Sequence, residues 1–443
     1  MFFRRIEHEL MQWAERAERK PLVLRGARQV GKTTVVNKFG RQFENYLYVN
    51  LEKENSKQLI ESTDDVKKLL PLIFLYCNKT RKSGRTLLFI DEIQESPHAL
   101  NLLRYFYEDT PEILVIAAGS LLETMLEKNI SIPVGRVEYM AVHPCSFNEF
   151  LSATGNSRYV EPIINADLHG AFHEELLQNF NLYALIGGMP EVVARYAAGK
   201  DIVALSRIYN QLLTGFKNDV EKYAESNSQT AVIRYILDEG WAFSGETITL
   251  GGFASSSYKA RETGEALRIL QKAMLLELVY PTTNMVLPAI TDLKKSPKLF
   301  WLDSGLVNYI SGIQKEYLLN KDLLDTWRGK AAEQIVAQEL KALSFETELK
   351  QKFWVRNKRG STAEVDFVYV HDGKIIPIEV KSGHNAHLKS IHQFMNETHH
   401  DIAFRIWSGR YSVDNVKTTA GKNFRLINLP FYMISALPNI LRR

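Results

Sequence analysis

Cysteine is scarce in this 443-residue sequence, with only Cys77 and Cys145 present. Two thiols without metal-ligand spacing exclude a disulfide framework and a thiolate zinc site, and a reduced, cytoplasmic protein is expected. The sequons at Asn78 and Asn129 then carry no meaning. Long apolar runs are missing as well. The best of them, Ile113–Gly119, is strand-sized, whereas a membrane span needs about 20 residues, so no membrane partner is expected. The opening Met-Phe-Phe-Arg-Arg-Ile-Glu lacks the apolar core of a signal peptide. There are no internal repeats and no low-complexity linkers, and domains that pack closely are expected.

A dominant charge is also lacking: 55 Lys+Arg against 51 Asp+Glu leave +4. The distribution is uneven. From Ile313 onward there are 20 basic and 14 acidic residues, a net +6, so the first 312 residues carry 55 − 20 = 35 against 51 − 14 = 37, a net −2. A basic C-terminal third points to a polyanionic partner or to an ordinary solvated surface. The length suits about three domains, and 45% hydrophobic with 24% charged residues is ordinary for a globular protein.

Against this background one octet stands out. Gly26-Ala27-Arg28-Gln29-Val30-Gly31-Lys32-Thr33 follows the apolar stretch Pro21–Arg25 and fits G-x-x-x-x-G-K-[ST]. Two glycines let the backbone curl so that several N–H groups face an anion, and a helix expected from Lys32 to Phe39 adds its positive N-terminal end. Lys32 is the candidate for the β- and γ-phosphates, Thr33 for a Mg²⁺ ligand, and Thr34 extends the binding stretch.

Strands are expected at Leu22–Arg25, Tyr46–Leu51, Thr86–Ile90, Glu112–Ala118 and Val137–Val142, with helices between most of them. This is the pattern of an α/β domain around a parallel sheet. The third strand runs into Asp91-Glu92, a carboxylate pair placed to hold the Mg²⁺ shell (Asp91) and to orient and deprotonate the attacking water (Glu92). The next strand ends at Ser120, a sensor candidate beside the γ-phosphate. Arg136 is the candidate to stabilise charge on that phosphate, from its own subunit or from a neighbour in a homo-oligomer.

These parts resemble the AAA-type ATPases of the additional-strand class, close to the archaeal and STAND-like group. The strings Arg25-Gly-Ala-Arg-Gln-Val-Gly-Lys-Thr, Phe89-Ile-Asp-Glu-Ile-Gln, Ala118-Gly-Ser, His143-Pro-Cys-Ser-Phe-Asn-Glu-Phe-Leu and Gly187-Gly-Met-Pro-Glu carry the resemblance. It implies ATP as ligand, and it implies that Gly187–Pro190 opens a helical lid. No guanine-reading Asn/Thr-Lys-x-Asp motif stands in the expected place.

The organisation expected is an ATPase core over 1–164, a helical lid over 165–225, a winged-helix-like segment over 226–312 and a further α/β unit over 313–443. In the third segment an amphipathic helix, Tyr258–Leu275, precedes two short strands, Leu276–Tyr280 and Lys298–Leu302. Its stripe of Arg261, Arg268 and Lys272 suits a major-groove helix or a plain solvated face. Phe300, Trp301, Phe353 and Trp354 read as core.

The last unit contains a β-hairpin, Glu364–Lys381, turning at His371-Asp-Gly-Lys374. Residues two apart on a strand share a face, so Glu379 and Lys381 point the same way, and Asp366 on the partner strand lies close to them. Two carboxylates can hold a divalent metal and a nearby lysine can activate water for phosphodiester attack, with Glu333 on an upstream helix as a further ligand. This resembles the PD-(D/E)XK restriction-endonuclease-like fold, with Asp366 as its aspartate and Glu379-Val380-Lys381 as its E-x-K; Val365 stands where that motif often has proline. The resemblance implies DNA or RNA as substrate and a second divalent site. Such a fold can also be kept for binding after chemistry is lost, which leaves a regulatory switch that binds a protein or nucleic-acid partner as the alternative.

Overall fold

The computed structural model describes residues 2–119, 135–224, 226–320, 325–358, 360, 362–381 and 388–443. Its first sheet has five strands: β1 (Leu22–Arg25), β2 (Asn45–Asn50), β3 (Thr86–Asp91), β4 (Ile113–Gly119) and β5 (Glu138–Ala141). All pair in parallel, in the order β2-β3-β4-β1-β5. Parallel strands covered on both faces read as continuous apolar runs, and every residue of β1, β3 and β4 is buried. Alternation then sorts the side chains. Leu24, Phe89 and Ile116 enter one core cluster, while Val23, Ile90 and Val115 enter the other.

The register fixes what meets at the carboxyl ends of these strands. Arg25 pairs with Gly119 and with Ala141, and Asp91 pairs with Ala118. Strand β4 therefore lies between the strand that feeds the glycine loop and the strand that ends in Asp91.

Three helices follow, His173–Ile186, Pro190–Gly199 and Ser206–Tyr223, and then two more, Asn227–Glu239 and Ala260–Lys272. The last is shorter than the apolar spacing predicts, because Met274 adopts φ 58° and turns the chain into the next strand.

The second sheet is mixed and has eight strands: β6 (Leu276–Thr282), β7 (Lys298–Trp301), β8 (Lys352–Val355), β9 (Glu364–His371), β10 (Lys374–Lys381), β11 (Ile402–Trp407), β12 (Ser412–Lys417) and β13 (Asn423–Pro430). Their order is β12-β13-β11-β10-β9-β8-β6-β7. The β6–β7 hairpin, expected as part of a separate winged segment, joins this sheet through Tyr280↔Lys352 and Thr282↔Trp354, and so spans the expected division at 312–313.

The helix Asp325–Ala342 lies at the centre of the molecule. Its buried polar side chains each reach a different part. Gln334 accepts from the Trp301 backbone at 3.0 Å and from the Ser244 hydroxyl at 2.6 Å. Gln338 accepts from the Ser304 backbone at 2.9 Å. Glu339 accepts from the Phe147 backbone at 2.9 Å and from the Tyr183 hydroxyl at 2.7 Å. Buried polar groups must be paired, so this row sets one docking geometry between the halves. The helix Lys389–Glu397 covers the other face of the sheet, with Ile391, Phe394 and Met395 packed against Trp354, Val365 and Ile375. Among the described residues no helix is long and apolar enough to cross a membrane.

Candidate functional site

The glycine loop joins β1 to the helix Lys32–Gly40, the strand–loop–helix order an anion cradle requires. Gly31 takes φ 92° at the helix N-cap, a conformation that a side chain would strain. Ala27 and Val30 are buried in the core, so they offer backbone only, whereas Arg28 is half-buried and Gln29 and Thr34 are exposed. The Lys32 ammonium donates to the carbonyls of Gly26 at 2.8 Å and Ala27 at 2.9 Å, and burial pushes its pKa down to about 8. A buried ammonium satisfied only by loop carbonyls is poised to exchange them for an anionic oxygen.

Beside the loop, Thr33 Oγ1 donates to Asp91 Oδ2 at 2.9 Å, and the Tyr48 hydroxyl donates to the same oxygen at 3.1 Å. Burial raises the Asp91 carboxyl. A hydroxyl and a carboxylate converging next to an anion cradle are the donor set of a nucleotide-bound Mg²⁺, and the residues fit that ion. Glu92 follows directly. It is held in the left-handed region at φ 52° and its carboxylate accepts from Gln94 Nε2 at 2.5 Å. Strain of that kind costs of order 1 kcal/mol and fixes the direction of the side chain.

The loop is covered from three sides. Arg4 donates to the Val30 carbonyl at 3.2 Å and to the His143 carbonyl at 2.7 Å, and pairs with the buried Glu149 at 3.0 Å. Arg28 bonds the buried Asp219 on the helix Ser206–Tyr223, and a Cβ added at Gly31 would meet the Pro190 ring at 3.6 Å. The Gly187–Pro190 segment expected to open the lid thus rests on the loop itself. Gly188 accepts from the Cys145 backbone N–H at 2.6 Å and donates to Asp303 Oδ2 at 2.5 Å. Full burial raises the Asp303 carboxyl to about 6.

Two expected members do not join this group. Ser120 lies outside the described residues. Arg136 pairs with Glu108 at 2.8 Å on the surface, two residues before Glu138, which is opposite the first residue of β1. It therefore stands at the amino ends of the strands, and from its own chain it does not reach a phosphate held at their carboxyl ends. This corrects the expectation of a contribution within one subunit.

The second constellation does assemble. The β9–β10 ladder runs to Phe367↔Ile378, after which Asp366 Oδ2 takes the Val380 N–H at 2.8 Å. Lys381 Nζ pairs with Glu379 Oε1 at 2.7 Å, while Glu379 Oε2 is buried without a hydrogen-bond partner. Glu333 comes in from the central helix. Into the same space reaches Lys298 from β7, buried to 4% exposure, with its ammonium 2.9 Å from Glu333, 2.8 Å from Glu364 and 3.5 Å from Asp366. Burial and mutual repulsion push the Glu333 and Glu379 carboxyls upward, and the surrounding carboxylates raise the lysine. Among the described residues no group of three or more His, Cys, Asp or Glu side chains is arranged to hold a metal ion. The expected divalent set of Asp366, Glu379 and Glu333 is thus built around an ammonium.

Of the basic stripe, Arg261 is exposed and paired with Glu265 at 2.9 Å. Arg268 and Lys272 instead line a cavity of about 490 Å³ between the halves, together with Arg25, Lys341 and Lys350. Phe300, Trp301, Phe353 and Trp354 are core, and Trp301 stacks on Trp241 at 3.8 Å.

Residues 18–151 match the family described as AAA domain. This stretch is an AAA-type P-loop domain. Residues 177–317 and 328–432 match two families each described as a domain of unknown function, DUF8612 and DUF4143. No curated protein matches the chain in sequence. Among solved structures it is similar to the Walker-type ATPase PABY2304 of Pyrococcus abyssi, at 15% identity over 70% of this chain and 96% of that one (TM-score 0.43). It is also similar to PCH-2 of C. elegans, at 12% over 44% and 62% (TM-score 0.28). A third is the Aeropyrum pernix ORC1 protein in complex with DNA, at 14% over 71% and 92% (TM-score 0.24). The AAA domain carries the whole of the first constellation except Arg4, Pro190 and Asp219, which lie on either side of the matched stretch.

Lys298 and Glu364 were the residues that sequence reading passed over. Glu364 shares a face with Asp366 two positions on and was accessible by that rule. Lys298 opens an apolar tetrapeptide, Lys-Leu-Phe-Trp, and nothing local marks it.

Proposed function

We propose that this chain is an ATPase that couples the nucleotide state of its AAA domain to a C-terminal nuclease-like domain acting on DNA or RNA. The observation that carries the first half is the convergence of Thr33 and Asp91 at 2.9 Å beside the Lys32-capped loop. In this reading the backbone of Gly26–Gly31 and Lys32 hold the triphosphate of ATP, and Thr33 and Asp91 hold its Mg²⁺. Glu92 orients and deprotonates water, and Ser120 senses the γ-phosphate. The ion, when bound, neutralises the β- and γ-oxygens. Arg136 serves only from a neighbouring copy. Lid movement at Gly187–Pro190 is passed on through Asp303, which lies two residues beyond β7.

Asp366, Glu379 and Lys381 are the groups assigned to phosphodiester chemistry, with Glu333 as a further ligand. A second reading keeps the ATPase and makes the C-terminal domain a binding module without cleavage. Lys298 among the carboxylates favours it.

The test is a nuclease panel on single- and double-stranded DNA and RNA with Mg²⁺ and Mn²⁺, with and without ATP. Wild type, Lys32→Ala and Asp366→Ala are compared. The coupled-nuclease reading expects cleavage lost in Asp366→Ala with ATPase activity intact, and cleavage insensitive to ATP in Lys32→Ala. Cleavage unchanged in Asp366→Ala removes the assignment, and no cleavage on any substrate selects the binding module.

A further inference from the structure

We propose that Lys298 is the resident cation of the C-terminal carboxylate cluster, holding the place a divalent ion would take, so that the cluster takes up no divalent ion while β7 is seated. The geometry is that of a filled site. Four carboxylates, from Glu333, Glu364, Asp366 and Glu379, come from three separate elements: the central helix, β9 and β10. Bringing them together out of water requires compensating positive charge. Two ammonium groups supply it. Lys381 serves Glu379, and Lys298 stands within ion-pair distance of each of the other three.

Lys298 also differs from a surface lysine that folds over a nearby acid. Its side chain is 5% exposed. The ammonium lies 5.3 Å from the centre of the Phe353 ring, an additional cation-favouring contact. Its backbone is fixed on both sides, by the β6 ladder at Val279 and by a bridge to Thr247. A divalent ion entering among Glu333, Glu364 and Asp366 would meet the ammonium and be repelled, and Glu379 Oε2 is the one carboxylate oxygen recorded there as buried without a hydrogen-bond partner.

The hairpin that delivers Lys298 runs on to Asp303, which grips Gly188 beside the glycine loop. The cation therefore sits on the segment that touches both halves. The inference rests on the nuclease-like reading only for where a divalent ion would sit.

The experiment is Mn²⁺ titration of the full chain without nucleotide, followed by electron paramagnetic resonance. Wild type, Glu379→Gln, Lys298→Met and the double variant Lys298→Met/Glu379→Gln are compared. Lys298→Met is expected to gain one Mn²⁺ site at least about tenfold tighter than any in wild type, absent from the double variant. A wild-type site that Glu379→Gln abolishes overturns the proposal, as does a folded Lys298→Met that gains none. If Lys298→Met fails to fold, the wild-type and Glu379→Gln pair still decides, joined by reductive methylation of wild type with peptide mapping. Lys298 is expected to stay unmodified while the exposed Lys294 reacts, and equal reactivity overturns the proposal. Mn²⁺ uptake by Lys298→Met without cleavage in any variant removes the nuclease reading and leaves this one. No uptake removes this one and leaves the ATPase reading intact.

Discussion

The buried Asp303 carboxylate accepts the backbone N–H of Gly188 at 2.5 Å, and its other oxygen accepts from Leu306 at 3.1 Å, capping the helix Ser304–Ile310. One side chain thus pins the segment that lies on the glycine loop to the element that follows β7. Asp303→Ala leaves a buried N–H and a helix start unsatisfied and is expected to lower stability by about 2–4 kcal/mol, read from denaturant midpoints. Asp303→Asn, which keeps an acceptor, should recover part of it. Gly188→Ala is expected to be worse, since its Cβ would lie 2.1 Å from the Cys145 carbonyl oxygen.

Hydrolysis should separate from binding at two neighbouring positions. Lys32→Ala is expected to lower ATP hydrolysis at least about 100-fold and to weaken nucleotide binding, because it removes the charge the phosphates face. Glu92→Gln is expected to cut kcat by about 10²–10⁴ while a fluorescent ATP analogue still binds. Equal kcat in wild type and Glu92→Gln would move the base elsewhere.

Arg136 offers a cleaner contrast. Paired with Glu108 at the amino ends of the strands, it is expected to be silent within one chain. Arg136→Ala should leave the ATPase rate of dilute, monomeric protein unchanged and shift stability by less than about 1 kcal/mol. A loss that appears only as concentration rises would identify a contribution between copies.

Glu339 sets a pH dependence. Burial raises its carboxyl from 4.5 to about 7, so the folded state binds the proton more tightly than the unfolded chain. Its contribution to stability is therefore full below about pH 4.5 and declines as pH rises towards 7. Glu339→Gln keeps an acceptor for Tyr183 and Phe147 without the charge. It should match wild type near pH 5 and exceed it by about 2–3 kcal/mol at pH 8, seen as diverging unfolding midpoints. Parallel curves across that range would show the carboxyl to be unperturbed.

Much of the first constellation was legible because its signals are local. Lys32 and Thr33 follow the glycines in one octet, and Asp91 ends an apolar strand whose parallel pairing brings it beside them. The hairpin around Asp366, Glu379 and Lys381 was legible for the same reason, through a two-residue period and a turn at Asp372-Gly373. What escaped depends on chain crossings that no local pattern records. Lys298 meets Glu333 across 35 residues, and Arg4 meets His143 across 139. Arg136 was misplaced because spacing along the chain does not say at which end of a sheet a loop returns.

The hairpin β6–β7 has a consequence for how this chain can be divided. A piece beginning at 313 would carry β8 with its Lys352–Trp354 backbone groups unpaired where β6 now lies, an open border that recruits foreign strands. A piece ending at 312 would strand Tyr280–Thr282 in the same condition. Shuffling, fusion or separate expression of the C-terminal half should therefore carry Leu276–Trp301 with it, and the smallest heritable module on that side begins inside what reads as the preceding domain.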